Sequence, residues 1–452
     1  MLKRILLFLL LLLAIVFGYL YIALYPMFPV GTGYAAKKMC SCHFIAGRSQ
    51  ESIQKEDLAP SPLNLTSTVI DEANKSATST ILGLAAKTAI YKENLGCVLL
   101  DEEDDYNIEL NLPTKVSVTA ANWPIGEQLV AKEVQGVDYE ELDKAINKIF
   151  DPSFGMERIK TRAVVIVYKD TLIAEKYANG FDKDTEILGW SMNKSITATL
   201  IGILVKEGKL ALDQSQLFEE WTDERSKITI NDLLQMQSGL AFEEDYTKLS
   251  DVTKMLFMNE DIVAEVAKNP LSAPIGSKWY YSSGTTNLLA GIIRQQFDSH
   301  SDYLKFPHEA LFQKIGMHSM ILEIDESGNY IGSSYGYATP RDWAKFGLLY
   351  LNEGNWYGEQ IIDTTWVNFV RQPAEHSNGL YGGHFWHNHN HVALKDVPSD
   401  LYSCNGFEGQ FVYIIPSKDL VVVRMGLSEW PEYDANSFLK EVIQAIDLSE
   451  NH

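Results

Sequence analysis

The stretch Gly189-Trp190-Ser191-Met192-Asn193-Lys194-Ser195-Ile196-Thr197 places an amine three residues after a hydroxyl. A serine hydroxyl keeps its proton at neutral pH and attacks poorly until a neighbour takes that proton. Residues three apart share one face of a helix, so Lys194 can serve as base to a nucleophilic Ser191. A lysine near its ordinary pKa of about 10.4 is charged and cannot accept a proton. Burial or a nearby cation must favour the neutral amine. Residues 196–205 are only threonine, glycine and apolar side chains, which reads as a helix buried all round. Gly208 is its natural stop. The same spacing recurs at Ser52/Lys55 and Ser437/Lys440. Polar neighbours there read as exposed helix faces, so the choice of Ser191 needs support from elsewhere in the chain.

Two remote stretches supply it. Tyr281 lies in Lys278-Trp279-Tyr280-Tyr281-Ser282-Ser283-Gly284. A phenol beside a lysine can relay a proton, because the cation favours the phenolate. Gly406-Phe407-Glu408-Gly409-Gln410 enters an apolar strand. Glycine lets an acyl group come close to the backbone, and a tetrahedral intermediate needs two N–H donors aimed at its oxyanion. The backbone N–H groups of Ser191 and Gln410 are the candidates.

These residues need a frame. Residues 163–168 and 172–177 flank Lys169-Asp170, a hairpin pattern. Residues 410–415 and 420–425 bracket Pro416-Ser417-Lys418-Asp419, a second one. Helical patterns fill the space between, at 228–234, 251–266, 288–295, 340–351 and 366–371, and a last one follows at 435–446. Strands and helices do not alternate, so the fold class is α+β. It has an antiparallel sheet built from the N- and C-terminal hairpins of the domain, flanked by helices. A further helical pattern from Tyr139 stops at Pro152.

Three motifs in order carry a resemblance. They are Ser-x-x-Lys before a buried helix, Tyr-Ser-Ser about 90 residues on, and Gly-x-x-Gly-Gln-like glycines entering a terminal hairpin. Over residues 140–450 the chain resembles the serine β-lactamase and penicillin-binding protein superfamily, nearest to class C-type relatives. Those include esterases, D-Ala-specific peptidases and 6-aminohexanoate-dimer hydrolases. Gly332-Ser333-Ser334-Tyr335 and Arg341-Asp342-Trp343-Ala344-Lys345-Phe346-Gly347 are similar to the last branch. The resemblance implies a β-lactamase/transpeptidase-like fold and a serine hydrolase without cofactor or metal. Ser191 would be acylated, Lys194 and Tyr281 would move its proton, and Gln410 N–H would help to form the oxyanion hole. Two departures stand out. Ser283 occupies the place of an asparagine two residues after the tyrosine. Phe407-Glu408-Gly409 replaces Lys-Thr-Gly or His-x-Gly. Without a cation there, recognition of a substrate carboxylate weakens, so an ester, or an amide bearing a free amine, suits Glu408 better than a β-lactam. Gly409, Glu408 and Ser283 thus join Gln410 as substrate-binding candidates. A catalytically weak penicillin-binding or D-Ala peptidase-like protein is the alternative.

Bulk properties frame these readings. The chain has 452 residues, 46% of them hydrophobic, and a formal charge of −22. That suffices for a large core and argues against nucleic-acid partners. The expected partner is a small-molecule or short-peptide acyl substrate, and oligomeric state is open. Lys3 and Arg4 precede the uncharged, largely apolar residues 5–24, long enough to span about 30 Å of hydrocarbon as helix. Basic residues on the N-terminal side place the rest outside the cytoplasm. The expected organisation is a transmembrane signal-anchor at 1–25, a small membrane-proximal region at 26–137 and the hydrolase domain at 138–452. The region 26–137 carries short strand patterns at 67–70, 79–82, 87–91 and 96–100, then an acidic loop at 101–105. The expected location is a bacterial cell envelope, with the inner membrane holding the anchor. A glycan on the Asn193 sequon would ruin the proposed site. Of the four cysteines, Cys97 is expected to pair with Cys40 or Cys42.

Two rival motifs carry less. Gly332-Ser333-Ser334-Tyr335-Gly336 matches a nucleophile elbow, which needs a strand directly before and a helix directly after. Asp325-Glu326-Ser327-Gly328-Asn329 and Pro340 oppose both. His384, His387, His389 and His391 could mimic a metal patch, but Trp386-His387-Asn388-His389-Asn390 reads as a strand running into a polar loop.

Overall fold

The structure is a computed structural model that describes residues 2–100, 121–129, 133–151, 153, 159–428 and 433–447. The acidic run 101–105 lies outside them. The chain divides into two compact units. One comprises residues 1–107, 243–262 and 325–327, and the other 108–242, 263–324 and 328–452. The stretch expected to be one continuous hydrolase domain is therefore interrupted twice by segments that belong with the N-terminal unit.

The larger unit is built on a seven-stranded antiparallel sheet. Its order is Tyr381–Gly382, Phe385–His387, Tyr402–Gly406, Gln410–Ile415, Leu420–Gly426, Thr161–Tyr168 and Thr171–Tyr177. The two expected hairpins thus meet in the middle, with Val422 opposite Ile166. Both central strands are buried along their whole length, which explains why their sequences run apolar without alternation. On one face Leu142 and Ile146 of Tyr139–Lys148 and Leu439 and Val442 of Ala435–Ile446 pack on Ile166, Val422 and Tyr413. The helix Pro340–Leu351 seats on the strands so closely that a Cβ on Gly347 would come 2.6 Å from Val421 Cγ1.

The helix Asn193–Lys206 is buried from 193 to 204, as its composition predicts. Gly202 makes room for Trp366, whose ring lies 2.5 Å from where a Cβ would stand. The helix stops at Gly208, in the left-handed region at φ +70°. The pattern at 251–266 resolves into two shorter helices, Asp251–Phe257 and Ile262–Ala267.

In the N-terminal unit the strands Thr66–Asp71, Ser76–Ile81, Leu84–Lys92 and Gly96–Leu100 form an antiparallel sheet. Small residues let helix Phe28–Phe44 lie close to it: Ala35, Ala36 and Cys40 face Ala77 and Ala89 in one cluster. A Cys40–Cys97 disulfide ties helix to sheet. Leu2–Leu24 is helical. A transmembrane span was expected here; among the described residues no helix is long and apolar enough to cross a membrane. The described apolar side chains at 5–13 are exposed.

Candidate active site

Ser191 sits in a tight 3-10 turn, Trp190–Met192, that runs straight into Asn193–Lys206. Trp190 holds φ at +50°, a costly conformation for a bulky side chain. Its surroundings enforce it. The indole Nε1 donates to Glu408 Oε2 at 2.8 Å, and the ring packs on Tyr335 at 5.5 Å and edge-on to Phe407 at 5.8 Å. Gly189, just before, lies where a Cβ would come 2.5 Å from Trp343.

Lys194 is buried. Its Nζ lies 3.1 Å from Ser191 Oγ, 3.0 Å from Ser283 Oγ and 3.0 Å from the Ser333 carbonyl. As an ammonium it donates to all three. As a neutral amine it has two N–H groups, one committed to the carbonyl and one to Ser283 Oγ. Its lone pair then faces the Ser191 hydroxyl, which is the geometry of a general base.

The ring of Tyr281 covers the same amine, with its centroid 4.9 Å from Lys194 Nζ. Tyr381 at 5.8 Å and Trp386 at 5.4 Å hold the ring in place. Lys278, nearer in sequence, faces Tyr280 instead, at 5.5 Å. The cation beside Tyr281 is therefore Lys194.

Ser283 opens the helix Ser283–Arg294, where the Ser282 side chain caps the N-terminus by accepting from Thr285 N. One turn on, Asn287 Nδ2 donates to Ser333 Oγ at 3.0 Å and to the Ser283 carbonyl at 3.1 Å. Its Oδ1 accepts from Ser333 N at 3.3 Å. From the other helix, Asn193 Nδ2 donates to the Ile331 carbonyl at 3.0 Å and Thr197 Oγ1 to that of Gly332 at 2.9 Å. Two helices thus pin the loop 331–334, and that loop delivers the carbonyl that holds Lys194. Sequence reading missed Ser333 and Asn287. The Gly-Ser-Ser-Tyr stretch was the available signal, but nothing in it says that a backbone carbonyl does the work.

Strands Tyr402–Gly406 and Gln410–Ile415 are joined by Phe407-Glu408-Gly409. Glu408 and Gly409 hold φ at +63° and +79°, consecutive left-handed residues as in tight hairpin turns. This hairpin meets the nucleophile's segment at Gly406, where a Cβ would stand 2.1 Å from the Gly189 carbonyl. Glu408 reaches the site's edge through Trp190. The Gln410 side chain turns into the sheet: Nε2 donates to the Gly426 carbonyl at 2.6 Å and to that of Phe407 at 3.2 Å, and Oε1 accepts from Gly426 N at 3.0 Å. Its backbone stands opposite Gly406. The side chain of Gln410 braces the hairpin.

The rival motifs have structural work. His384 is buried, with Nδ1 2.8 Å from the Leu234 carbonyl and Nε2 3.0 Å from Thr286 Oγ1. Burial pushes its pKa down to about 3. His387 Nε2 lies 2.7 Å from the Val370 carbonyl, and burial pushes it down to about 4. Among the described residues no group of three or more histidine, cysteine or acidic side chains could hold a metal. Ser334 lies in a loop, buried, with a strand after it rather than a helix, the reverse of an elbow.

Residues 146–431 match the sequence model of the Beta-lactamase family. The chain belongs to that family. It is similar to a 6-aminohexanoate-dimer hydrolase from Paenarthrobacter ureafaciens, at 23% identity over 68% of this chain and 84% of that protein. Among solved structures it is similar to a Bacillus anthracis protein assigned as a 6-aminohexanoate-dimer hydrolase, with TM-score 0.57 and 23% identity over 66% of this chain and 81% of that one. It is also similar to a family VIII carboxylesterase, with TM-score 0.55 and 15% identity over 70% and 99% of the two chains. The protein is a serine hydrolase of β-lactamase type, with the mixed α and β, antiparallel-sheet architecture of that group.

Proposed function

We propose that the protein cleaves an ester or amide through an acyl-enzyme on Ser191. The observation that carries this reading is the buried Lys194 amine, which has Ser191 Oγ, Ser283 Oγ and the Ser333 carbonyl all within hydrogen-bond reach. As the Ser191 oxygen bonds to the acyl carbon, its proton passes to Lys194, with the Tyr281 phenol as relay. The tetrahedral intermediate collapses when the bond to the leaving group breaks. The same proton then moves onto the departing alkoxide or amine. Water repeats the sequence in reverse roles, freeing the acid and restoring the serine hydroxyl. Backbone N–H groups of Ser191 and of the 406–410 hairpin stabilise the oxyanion.

Glu408, Trp190 and Phe407 stand together at the edge of this site. A carboxylate among aromatic faces suits a substrate with a protonated amine, in keeping with the aminohexanoate relative. The disulfide supports a place outside the cytoplasm. The exposed apolar residues 5–13 support attachment of the N-terminal helix to a bacterial membrane.

The test is a screen of p-nitrophenyl esters, short aminohexanoate amides, D-Ala peptides and β-lactams. Turnover of at least one ester or amide is expected, lost in Ser191→Ala and kept in Ser334→Ala. Loss in the second variant alone would reverse the assignment. Binding without turnover would favour the penicillin-binding alternative. Glu408→Gln should raise KM for amine-bearing substrates and leave neutral esters unchanged. Equal effects on both would remove the amine from the reading.

A further inference from the structure

Arg424 lies on strand Leu420–Gly426 and is fully buried. Among the described residues its hydrogen-bond partners are neutral oxygens. One guanidinium nitrogen donates to the Gly409 carbonyl at 2.6 Å and to that of Glu408 at 3.4 Å. The other donates to the Ile159 carbonyl, Thr161 Oγ1 and Ser428 Oγ at 2.6, 2.9 and 2.7 Å. The guanidinium carbon lies over the Tyr433 ring, 4.6 Å from its centroid. Burial lowers the arginine only to about 10, so it stays charged at neutral pH.

Two glycines make room for this buried cation. A Cβ on Gly409 would stand 2.3 Å from Arg424, and one on Gly426 2.5 Å from it. The contacts at the other end show what the cation holds. The carbonyls of the turn are all tethered from the inside: Phe407 by Gln410 Nε2, Glu408 by Ser428 N at 2.8 Å and by Arg424, and Gly409 by Arg424. A peptide unit is planar and trans. Drawing a carbonyl inward therefore turns the N–H of the next residue the opposite way. The turn is fixed as a unit, with Gly406 against Gly189 and Glu408 on Trp190.

We infer that Arg424 is a positioning residue for the oxyanion side of the site. It touches no substrate, and it locks the Phe407–Gly409 turn so that the hairpin's N–H donors stay aimed at the acyl oxygen. This rests on the acyl-enzyme reading above. The experiment compares Arg424→Met, which keeps length and removes the donors, with Arg424→Lys and Ser428→Ala, using an ester that the wild type turns over. Arg424→Met should lower kcat at least tenfold with KM within twofold, and weaken an alkylboronic acid inhibitor by the same factor. Arg424→Lys should recover part of both losses, and Ser428→Ala should lower both about threefold. A folded Arg424→Met with wild-type kcat would overturn the inference, as would a kcat loss with boronate affinity unchanged. If Arg424→Met does not fold, an unchanged kcat in Ser428→Ala overturns it. Wild-type protein that never acylates would instead sink the underlying reading, so the two failures are distinguishable.

Discussion

The chemistry rests on how few freedoms Lys194 retains. Oxygens from three segments stand within its reach, and of these only the pairing with Ser191 is local. That pairing was legible because three-residue spacing on a helix is a short-range rule. Ser283 was legible only as a departure from a family pattern, yet its hydroxyl stands on the lysine. The Ser333 carbonyl was not legible, since any residue supplies a carbonyl and side-chain identity carries no mark of it. Asn287 shows how much depends on that unmarked contact. Asn287→Ala removes three hydrogen bonds around Ser333 and Ser283, and leaving such buried groups unpaired costs about 1–3 kcal/mol. We expect a lower unfolding midpoint together with a kcat loss of roughly tenfold or more, as the carbonyl drifts from Lys194. A destabilised variant with full kcat would show that the loop does not position the base.

Elements carry the next layer. Both hairpins of the sheet were legible, because apolar runs bracketing Lys169-Asp170 and Pro416-Ser417-Lys418-Asp419 have little else to become. That they join in one antiparallel sheet was also expected, but their register was not legible, since register across the chain leaves no local signature. The approach of one hairpin to the nucleophile was also hidden. Gly406 makes the close contact, and the Gln410 side chain braces the sheet. Gly406→Ala should therefore be harmful out of proportion to its size. A methyl 2.1 Å from the Gly189 carbonyl must push hairpin and nucleophile apart. We expect kcat to fall at least about tenfold, which is ~1.4 kcal/mol of barrier, with the far-ultraviolet spectrum unchanged. Full activity in that variant would mean that the contact has no part in catalysis.

At the scale of the molecule, the division into units was the least legible feature. Segments 243–262 and 325–327 join the N-terminal unit, and such long-range membership leaves no trace in periodicity. The buried histidines give the whole chain a pH signature. His308, His384 and His387 are pushed by burial to about 4, 3 and 4, whereas in the unfolded chain they titrate near 6.5. Below that value the unfolded state binds protons that the native state refuses, so stability falls as pH falls from about 6.5 towards 4. At pH 5 the loss is on the order of 2 kcal/mol for each histidine. Urea midpoints at pH 7 and pH 5 check this. The midpoint should drop markedly at pH 5, and His387→Gln should flatten the slope. Equal midpoints at the two values would mean that these imidazoles protonate freely in the folded protein.

The most direct measurement is site mapping of the covalent intermediate. The full chain is mixed with a fluorophosphonate, digested and sequenced by tandem mass spectrometry, beside Lys194→Met under the same conditions. The account predicts one stoichiometric adduct, on the Ser191 oxygen, formed at least a hundredfold more slowly when Lys194 is replaced. An adduct on Ser334, or labelling of Ser191 at an unchanged rate without the lysine, would contradict it.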